Sequence, residues 1–230
     1  MSAAPARPQL PLELGHPIQL GERDFVAAAG NRAALGWIES WPRWPGPALA
    51  IHGPAGSGKT HLAHLWTARS GAALLSAADL ASLDPEQAAA APVAIDGLGA
   101  APLPPGEERA LLHLHNLLAE RGRHLLLLGR QPPARWPILL PDLRSRLAAA
   151  VSVAVAEPDD ALLEAVLAKL FADRQVAVGA ELPRYLAARI ERSFAAAQAV
   201  VARLDRAALA AGRPISLRLA HELLGDDERA

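Results

Sequence analysis

The residues best suited to chemistry form a glycine-rich run that ends in a lysine and a threonine. Residues 53–60 have the sequence Gly-Pro-Ala-Gly-Ser-Gly-Lys-Thr, which fits the phosphate-binding pattern Gly-x-x-x-x-Gly-Lys-Thr. Lys59 is one of two lysines in a chain with twenty-one arginines, and it occupies the position where the loop requires a compact ammonium group. We therefore expect Lys59 to contact the β- and γ-phosphates of a nucleotide and the Thr60 hydroxyl to hold Mg²⁺.

The residues on either side supply the structural context that this loop needs. Residues 47–51 are an apolar run typical of a buried parallel strand, and residues 61–66 have helical spacing. A strand, a glycine loop and a helix place backbone amides and the positive end of a helix against a phosphate. The alternative is a glycine-rich turn without a ligand, which this context disfavours. The nucleotide-binding residues predicted here are Gly53, Pro54, Ala55, Gly56, Ser57, Gly58, Lys59, Thr60 and His61.

A second nucleotide-binding element follows about forty residues later. Residues 92–95 are apolar and end at Asp96, the type of acid that holds Mg²⁺, usually through a water molecule, in phosphate-loop proteins. The alternative is a single aspartate that begins a turn with Gly97. A second acid often follows the first and orients the attacking water, but here that position is Gly97. Because positioning the nucleophile is a large part of phosphoryl-transfer catalysis, we expect slow intrinsic hydrolysis.

Length and composition favour a nucleotide-binding α/β domain with a small helical domain. The chain has 230 residues, 51% of them hydrophobic, and no cysteine, so a sizeable core can form while disulfides and thiolate metal sites are excluded. We find no apolar run long enough to span a membrane and no signal segment, so we expect a cytoplasmic protein. The net charge of −1 provides no bulk attraction to nucleic acid.

The pattern along the chain divides it into three parts. Residues 1–17 are an extended arm, residues 18–156 alternate strands with helices, and residues 157–230 are helical. The alternation predicts a parallel sheet covered on both faces. Predicted strands are 47–51, 72–75, 92–95, 124–128 and 151–155; predicted helices are 26–40, 59–69, 107–121, 159–173, 181–192, 194–211 and 216–224.

The arm contains a short peptide with alternating leucines. Its residues 9–14 are Gln-Leu-Pro-Leu-Glu-Leu, beginning at Gln9. In an extended chain Leu10, Leu12 and Leu14 project to one side. Pro11 keeps the segment out of a helix. The pattern alone is equally consistent with an edge strand over the core and with a linear peptide that docks in a groove of another protein.

Several stretches together resemble the bacterial replication-initiator family, DnaA, and within it the shorter regulatory branch, Hda. The similarity extends from about residue 9 to 224, and the block around Ser145 and Arg146 with the double proline is more specific than the phosphate loop. The matching stretches are Gly53–Leu62, His115–Leu118 with Arg121–Leu125, Gly129–Pro133, Leu140–Leu147, and Asp24–Val26 with Asn31.

The resemblance implies a fold and a set of binding residues. It implies an α/β nucleotide-binding core of the AAA+ type with a parallel sheet (18–156), followed by a small all-α lid domain (157–230). It implies that ADP or ATP is bound with Mg²⁺, and that Phe25, Val26 and Asn31 belong to the segment that holds the adenine. It also assigns Arg146 as an arginine finger that acts on the nucleotide of a neighbouring protein. Arg144 lies close enough in sequence to be the alternative.

The shorter branch of this family implies the cellular role. Its members dock on the DNA sliding clamp, the β subunit of DNA polymerase III, through a Gln-Leu peptide that Gln9–Leu14 resembles. They trigger hydrolysis by ATP-bound DnaA and so prevent re-initiation. The resemblance therefore implies the clamp and DnaA as partners and leaves a homodimer open. The lack of a long apolar run indicates no membrane contact. The chain stops at Ala230 without the helix-turn-helix segment of DnaA, so we expect no sequence-specific DNA binding.

The sequence departs from the family pattern at three places. Arg130 and Gln131 replace the usual Asp-Arg before the double proline, which places nucleotide sensing near the γ-phosphate in doubt. The lid arginine of the family aligns with Ala195, one turn after Arg192, so either Arg192 substitutes or that contact is lost. Together with Gly97, these changes predict a protein that holds nucleotide and does not turn it over efficiently.

Two other functions use the same elements. A DnaC-like helicase loader shares the core but is expected to have a helicase-binding segment and a more basic surface; the Gln-Leu arm argues against it. An autonomous ATPase or nucleotide kinase requires efficient hydrolysis or a substrate lid, and Gly97 argues against that.

Overall fold

The computed structural model describes residues 26–225, so the predicted docking peptide Gln9–Leu14 and the predicted adenine-binding residue Phe25 lie outside the described residues. Five strands form one parallel sheet in the order β2-β3-β4-β1-β5. β1 therefore lies between β4, the central strand, and β5, which forms one edge of the sheet. The strands are β1 (Ala48–His52), β2 (Ala73–Ser76), β3 (Val93–Leu98), β4 (Leu125–Gly129) and β5 (Val151–Ala154).

Helices follow or connect these strands and then form the remainder of the chain. The α-helices are α1 (Arg32–Ser40), α2 (Lys59–Ser70), α3 (Pro85–Ala88), α4 (Pro105–Glu120), α5 (Pro141–Ala149), α6 (Asp160–Asp173), α7 (Glu181–Ala187), α8 (Phe194–Ala211) and α9 (Leu217–Gly225). Short 3₁₀ helices occupy Ala77–Ser82 and Pro133–Arg135. Within residues 26–225, no helix combines the length and apolar character needed to cross a membrane.

Both faces of the sheet are covered, as the alternating pattern predicts. On one face, Leu111 of α4 and Leu143 of α5 pack with Ile95 of β3 in one hydrophobic cluster. On the other face, Ile38 of α1 and Trp66 of α2 belong to a second cluster. Strands buried on both faces consist of continuous apolar residues, and β4 is buried along its whole length.

The helices after residue 157 have a hydrophobic core of their own. Phe171 of α6, Leu186 of α7 and Leu204 of α8 are fully buried, and Leu219 of α9 joins the same cluster. The helix α6 begins at the predicted place because the Asp159 carboxylate accepts a hydrogen bond from the backbone amide of Leu162 at 2.8 Å. The prediction of an α/β part followed by an all-helical part is confirmed.

The structure differs from the predicted helices at the start of α1 and at the end of α7, and it contains the helices α3 and α5, which were not predicted. The helix predicted over 26–40 begins only at Arg32, because the Asn31 side chain accepts a hydrogen bond from the Ala28 amide and donates one to the Val26 carbonyl, holding a turn. The helix predicted over 181–192 ends at Ala187. The helix α5, Pro141–Ala149, falls outside the predicted helices.

Candidate functional site

The glycine-rich run connects β1 to α2 at the carboxyl end of an interior strand of the sheet. Residues Ala48–Ile51 of β1 are buried, and α2 begins at Lys59. The first backbone amides of a helix have no partner within the helix. Those amides and the positive end of the helix dipole attract an anion. A phosphate group is the ligand that this arrangement favours.

The Lys59 ammonium is held inside the loop. It donates hydrogen bonds to the carbonyl oxygens of Gly53 at 2.9 Å and Pro54 at 2.6 Å, and to the Ser57 hydroxyl at 3.3 Å. Burial lowers the pKa of Lys59, while the Asp96 carboxylate raises it and the Arg130 guanidinium lowers it. These three hydrogen bonds use all three donors of the ammonium. A phosphate at this loop would meet the positive charge, and a direct hydrogen bond from Lys59 would replace one of the three.

The hydroxyl of Thr60 and the carboxylate of Asp96 meet across 36 positions of sequence. Thr60 Oγ1 donates a hydrogen bond to Asp96 Oδ2 at 2.6 Å. Thr60 lies in the first turn of α2 and Asp96 lies in β3, so the loop and the acidic strand converge as the sequence predicts. Mg²⁺ prefers oxygen ligands and binds through one or two protein groups, waters and substrate phosphates. The pair therefore fits a Mg²⁺ ion bound together with nucleotide phosphates.

The backbone of β3 is irregular immediately after Asp96. The pairing of β3 with β4 shifts register between Ile95 and Leu98, and Gly97 has a φ of +87°. A side chain at this φ is strained. The backbone at this position therefore disfavours any residue with a side chain, including the second acid that other phosphate-loop proteins have there.

The residues after β4 lie between the loop and the acidic strand. The Gly129 carbonyl accepts a hydrogen bond from the Gly53 amide at 3.2 Å, and the exposed Arg130 follows. The buried Trp136 packs against this segment, and its indole N–H donates a hydrogen bond to the Gln131 carbonyl at 2.7 Å. The Trp136 ring also lies against Gly129. Sequence reasoning missed Trp136, because a tryptophan after two prolines has no periodic signal.

The segment resembling an adenine-binding box is organised by Asn31. This residue is 3% exposed, and its side chain uses its oxygen on the Ala28 amide and a nitrogen on the Val26 carbonyl. The Gly30 carbonyl accepts a hydrogen bond from the Ala156 amide at 3.0 Å. The side-chain amide of Asn31 therefore holds the turn that includes Val26. Direct contact of Asn31 with a base stays a prediction.

The helical tail contacts the loop through Ser193 and Phe194. The Phe194 amide donates a hydrogen bond to the Gly56 carbonyl at 3.0 Å, and the Phe194 ring lies against Gly58. The Ser193 hydroxyl accepts a hydrogen bond from the Ala196 amide, which caps α8. Sequence reasoning missed this contact, because it joins parts of the chain that are about 138 positions apart.

The two positions considered for the lid arginine have different surroundings. Arg192 forms an ion pair with Asp160 of α6 at 3.0 Å. Ala195 lies in the first turn of α8, next to Phe194. The described contacts therefore connect Arg192 to the tail itself, and its predicted role in nucleotide binding stays a prediction.

The predicted arginine finger lies near the end of α5. The Arg146 Nε lies 3.2 Å from Asp142 Oδ1, one turn earlier on the same helix, and the Arg146 side chain is 41% exposed. The neighbouring Arg144 is exposed as well. The other side of α5 carries Leu143 and Leu147, which are buried in the core. The helix thus presents its arginines outward from a fixed apolar face.

No protein-family model matches this sequence. Among solved structures, domain III of the replication initiation protein DnaA from Thermotoga maritima aligns with a TM-score of 0.79 and 18% identity, covering 91% of this chain and 97% of that one. DnaA from Aquifex aeolicus, bound to AMPPCP, aligns with a TM-score of 0.67 and 16% identity, covering 79% of this chain and 63% of that one.

The Holliday-junction branch-migration motor RuvB from Thermotoga maritima is also similar, with a TM-score of 0.59 and 16% identity over 76% of this chain and 60% of that one. At these identities the similarity concerns the fold. The parallel five-stranded sheet with its helices therefore has the fold seen in domain III of DnaA.

Proposed function

We propose that this chain is an adenine-nucleotide-binding regulator of bacterial DNA replication initiation. In this proposal it docks on the sliding clamp and stimulates ATP hydrolysis by DnaA through Arg146, which prevents re-initiation. The single observation that carries the proposal is the position of Arg146: an arginine with a 41% exposed side chain, near the end of a helix whose apolar face is buried. Residues 1–17 would form the docking arm, 18–156 the core and 157–230 the lid.

Nucleotide binding is the part of the proposal with the most local support. The Lys59 ammonium lies inside the loop, and Thr60 and Asp96 are in contact where Mg²⁺ would bind. A DnaA structure of similar fold is bound to AMPPCP, an analogue of ATP, which supports ADP or ATP as the ligand. We propose that this nucleotide is held and hydrolysed slowly, because Gly97 supplies no carboxylate to orient water.

The proposed chemistry in DnaA follows from the charge of Arg146. Transfer of a γ-phosphoryl group to water builds negative charge on the phosphoryl oxygens in the transition state. A planar guanidinium donates two parallel hydrogen bonds to such oxygens and keeps its charge at every relevant pH. An arginine supplied in trans can raise the rate roughly 10³- to 10⁵-fold. The Asp142–Arg146 pair is solvent-exposed, so its release costs little.

Docking through the arm would bring this arginine to its target. The peptide Gln9–Leu14 supplies a polar residue for a groove rim and leucines for apolar pockets. Binding of such a short peptide is weak alone, and a ring-shaped clamp increases its effect by raising the local concentration of its partners. The same proposal places the protein in the bacterial cytoplasm.

The experiment that tests this function measures ATP hydrolysis by DnaA in the presence of DNA-loaded clamp. Wild-type protein should stimulate hydrolysis, Arg146→Ala should remove the stimulation, and the matched control Arg144→Ala should retain most of it. Clamp binding should be the same for all three proteins. If wild-type protein binds clamp and nucleotide without stimulating DnaA, the proposal is wrong; binding to the replicative helicase would then favour the helicase-loader function.

A further inference from the structure

A buried carboxylate on α4 holds the start of the arginine-bearing helix. Glu108 is 2% exposed. Its Oε1 accepts a hydrogen bond from the Leu139 amide at 2.8 Å, and its Oε2 accepts one from the Leu140 amide at 2.7 Å. A buried charge is costly unless it is paired or hydrogen-bonded. Here two charge-assisted hydrogen bonds and the positive end of α5 provide that compensation.

These hydrogen bonds complete the attachment of α5 to the core. Its apolar face is held by Leu143 and Leu147, which are 0% and 1% exposed. Leu140 and Ala150, at the two ends of the helix, also pack against this core. Glu108 adds a polar contact at the amino-terminal end, because it bonds the backbone of the residues that lead into Pro141, the first residue of α5.

We infer that Glu108 is a positioning residue for Arg146: it fixes the orientation of α5 and thereby the point in space that the Arg146 guanidinium reaches. This inference rests on the proposed function and names the part of the fold on which the trans arginine depends. The physical reason is the steep dependence of catalysis on geometry, since a displacement of about 1 Å can cost about 10²-fold in rate.

The neighbouring acid offers a matched control for the chemistry of Glu108. Glu107 lies in the same first turn of α4 and is only partly buried. Glu108→Gln keeps the size of the side chain but removes the charge and turns an N–H group toward a backbone N–H donor. Glu107→Gln makes the same chemical change at a position that no hydrogen bond in the described part of the chain ties to α5.

A second variant tests the same link from the other side. Leu140→Pro removes one backbone donor to Glu108 and leaves the carboxylate in place, while a smaller apolar ring replaces the Leu140 side chain that packs against the core. The φ of Leu140 is −73°, which is close to the value that proline fixes. This variant keeps the inference testable if Glu108→Gln does not fold, as judged by circular dichroism and thermal melting.

The experiment uses full-length protein, DNA-loaded clamp and ATP-bound DnaA, and measures the stimulated hydrolysis rate as a function of the protein concentration. For Glu108→Gln and Leu140→Pro we expect a maximal rate lower by about tenfold or more, with the half-saturating concentration unchanged. Backbone hydrogen exchange of α5 should be faster than in wild type, while exchange of β1 and β4 is retained. Glu107→Gln should behave as wild type.

The outcomes separate this inference from the proposed function. If wild-type protein stimulates DnaA and Arg146→Ala does not, but Glu108→Gln reaches the wild-type maximal rate, the inference is overturned and the proposed function survives. An equal loss in Glu107→Gln, or a loss confined to the half-saturating concentration, also overturns it, because neither reports a misplaced arginine. If wild-type protein gives no stimulation, the proposed function fails and the inference fails with it.

Discussion

Asp96 makes its contact with Thr60 through a carboxylate oxygen at 2.6 Å, and that contact determines what a change at Asp96 should do. Asn is isosteric and can still accept a hydrogen bond from the hydroxyl, but it is neutral and is a poorer ligand for a divalent cation. We expect Asp96→Asn to weaken nucleotide binding about tenfold in the presence of Mg²⁺, which is about 1.4 kcal/mol. Titration calorimetry with ADP and with ATP measures this.

The same titrations in EDTA provide the control for Asp96→Asn, because the variant should then bind nucleotide as wild type does. Thr60→Ser, which retains the hydroxyl, should keep most of the Mg²⁺ dependence. If Asp96→Asn weakens binding equally in EDTA and in Mg²⁺, Asp96 acts through the shape of the loop and the Mg²⁺ assignment is wrong.

Gly97 gives a prediction about the slow intrinsic hydrolysis proposed for this chain. An acid introduced there would have the residue type found in active ATPases but would lie on a backbone with φ +87°. Such a conformation costs a non-glycine residue about 1–3 kcal/mol. We therefore expect Gly97→Glu to lower the free energy of unfolding by about that amount and to leave intrinsic hydrolysis slow. Chemical denaturation and single-turnover hydrolysis measure the two effects.

Gly106 allows a comparison for Gly97→Glu, since it lies in α4 with a helical backbone and open space at its Cβ position. Gly106→Glu should not lower stability in the same way. A large gain in hydrolysis by Gly97→Glu would show that the backbone at this position adapts easily, and that only the residue type prevents turnover.

At the scale of elements, the contact between the loop and α8 links the glycine-rich loop to the helical tail. A Cβ atom on Gly56 would lie 2.2 Å from Ser193 Cβ, and Gly56 has a φ of +69°. Gly56→Ala therefore forces the start of α8 away from the loop. We expect faster hydrogen exchange of the Phe194 amide, whose hydrogen bond goes to the Gly56 carbonyl, and a lower melting temperature.

Gly36→Ala is the control for Gly56→Ala, because Gly36 lies in α1 with no atom within 4 Å of its Cβ position. Alanine there should be neutral or stabilising. If the Phe194 amide remains protected in Gly56→Ala, the tail moves together with the loop, and the two elements behave as one rigid unit.

The sequence predicted the strands and the long helices well, because their apolar residues have a clear period. The helix α8 begins and ends at the predicted residues, 194 and 211. The helix α5 was missed: its leucines are four positions apart, but the other seven positions of this nine-residue segment hold Pro, Asp, Arg, Ser and Ala. The start of α1 was misplaced because the Asn31 turn depends on side-chain hydrogen bonds that residue spacing does not reveal.

The same distinction applies to the site. Lys59, Thr60 and Asp96 follow from local motifs, and the parallel sheet brings them together. The bonds from Glu108 to the start of α5 and from Phe194 to the loop join distant parts of the chain through backbone groups, which every residue type provides. The partner that contributes only a backbone amide or carbonyl can be almost any residue type. Its sequence therefore does not indicate the contact, and only the folded structure reveals it.

At the scale of the whole molecule, the proposed function divides into docking by the arm and chemistry by Arg146. These parts should fail in different ways. The net charge of −1 provides little long-range attraction between the protein and DNA-bound partners, so the arm must provide the local concentration. A variant that cannot dock on the clamp should still stimulate hydrolysis by DnaA when its concentration is high enough. A variant without Arg146 should still bind the clamp but should not stimulate hydrolysis.

We therefore expect the double substitution Leu12→Ala and Leu14→Ala to abolish clamp binding and to raise the concentration needed for stimulation of DnaA by about 10²-fold or more. The maximal rate at saturating concentration should remain that of wild type. Arg146→Ala should give no stimulation at any concentration while it binds the clamp normally. Clamp binding by biolayer interferometry and full concentration series of DnaA hydrolysis measure both quantities. If the double variant loses maximal rate at saturation, the arm contributes to the activated complex itself, and docking and chemistry are not separate functions of this molecule.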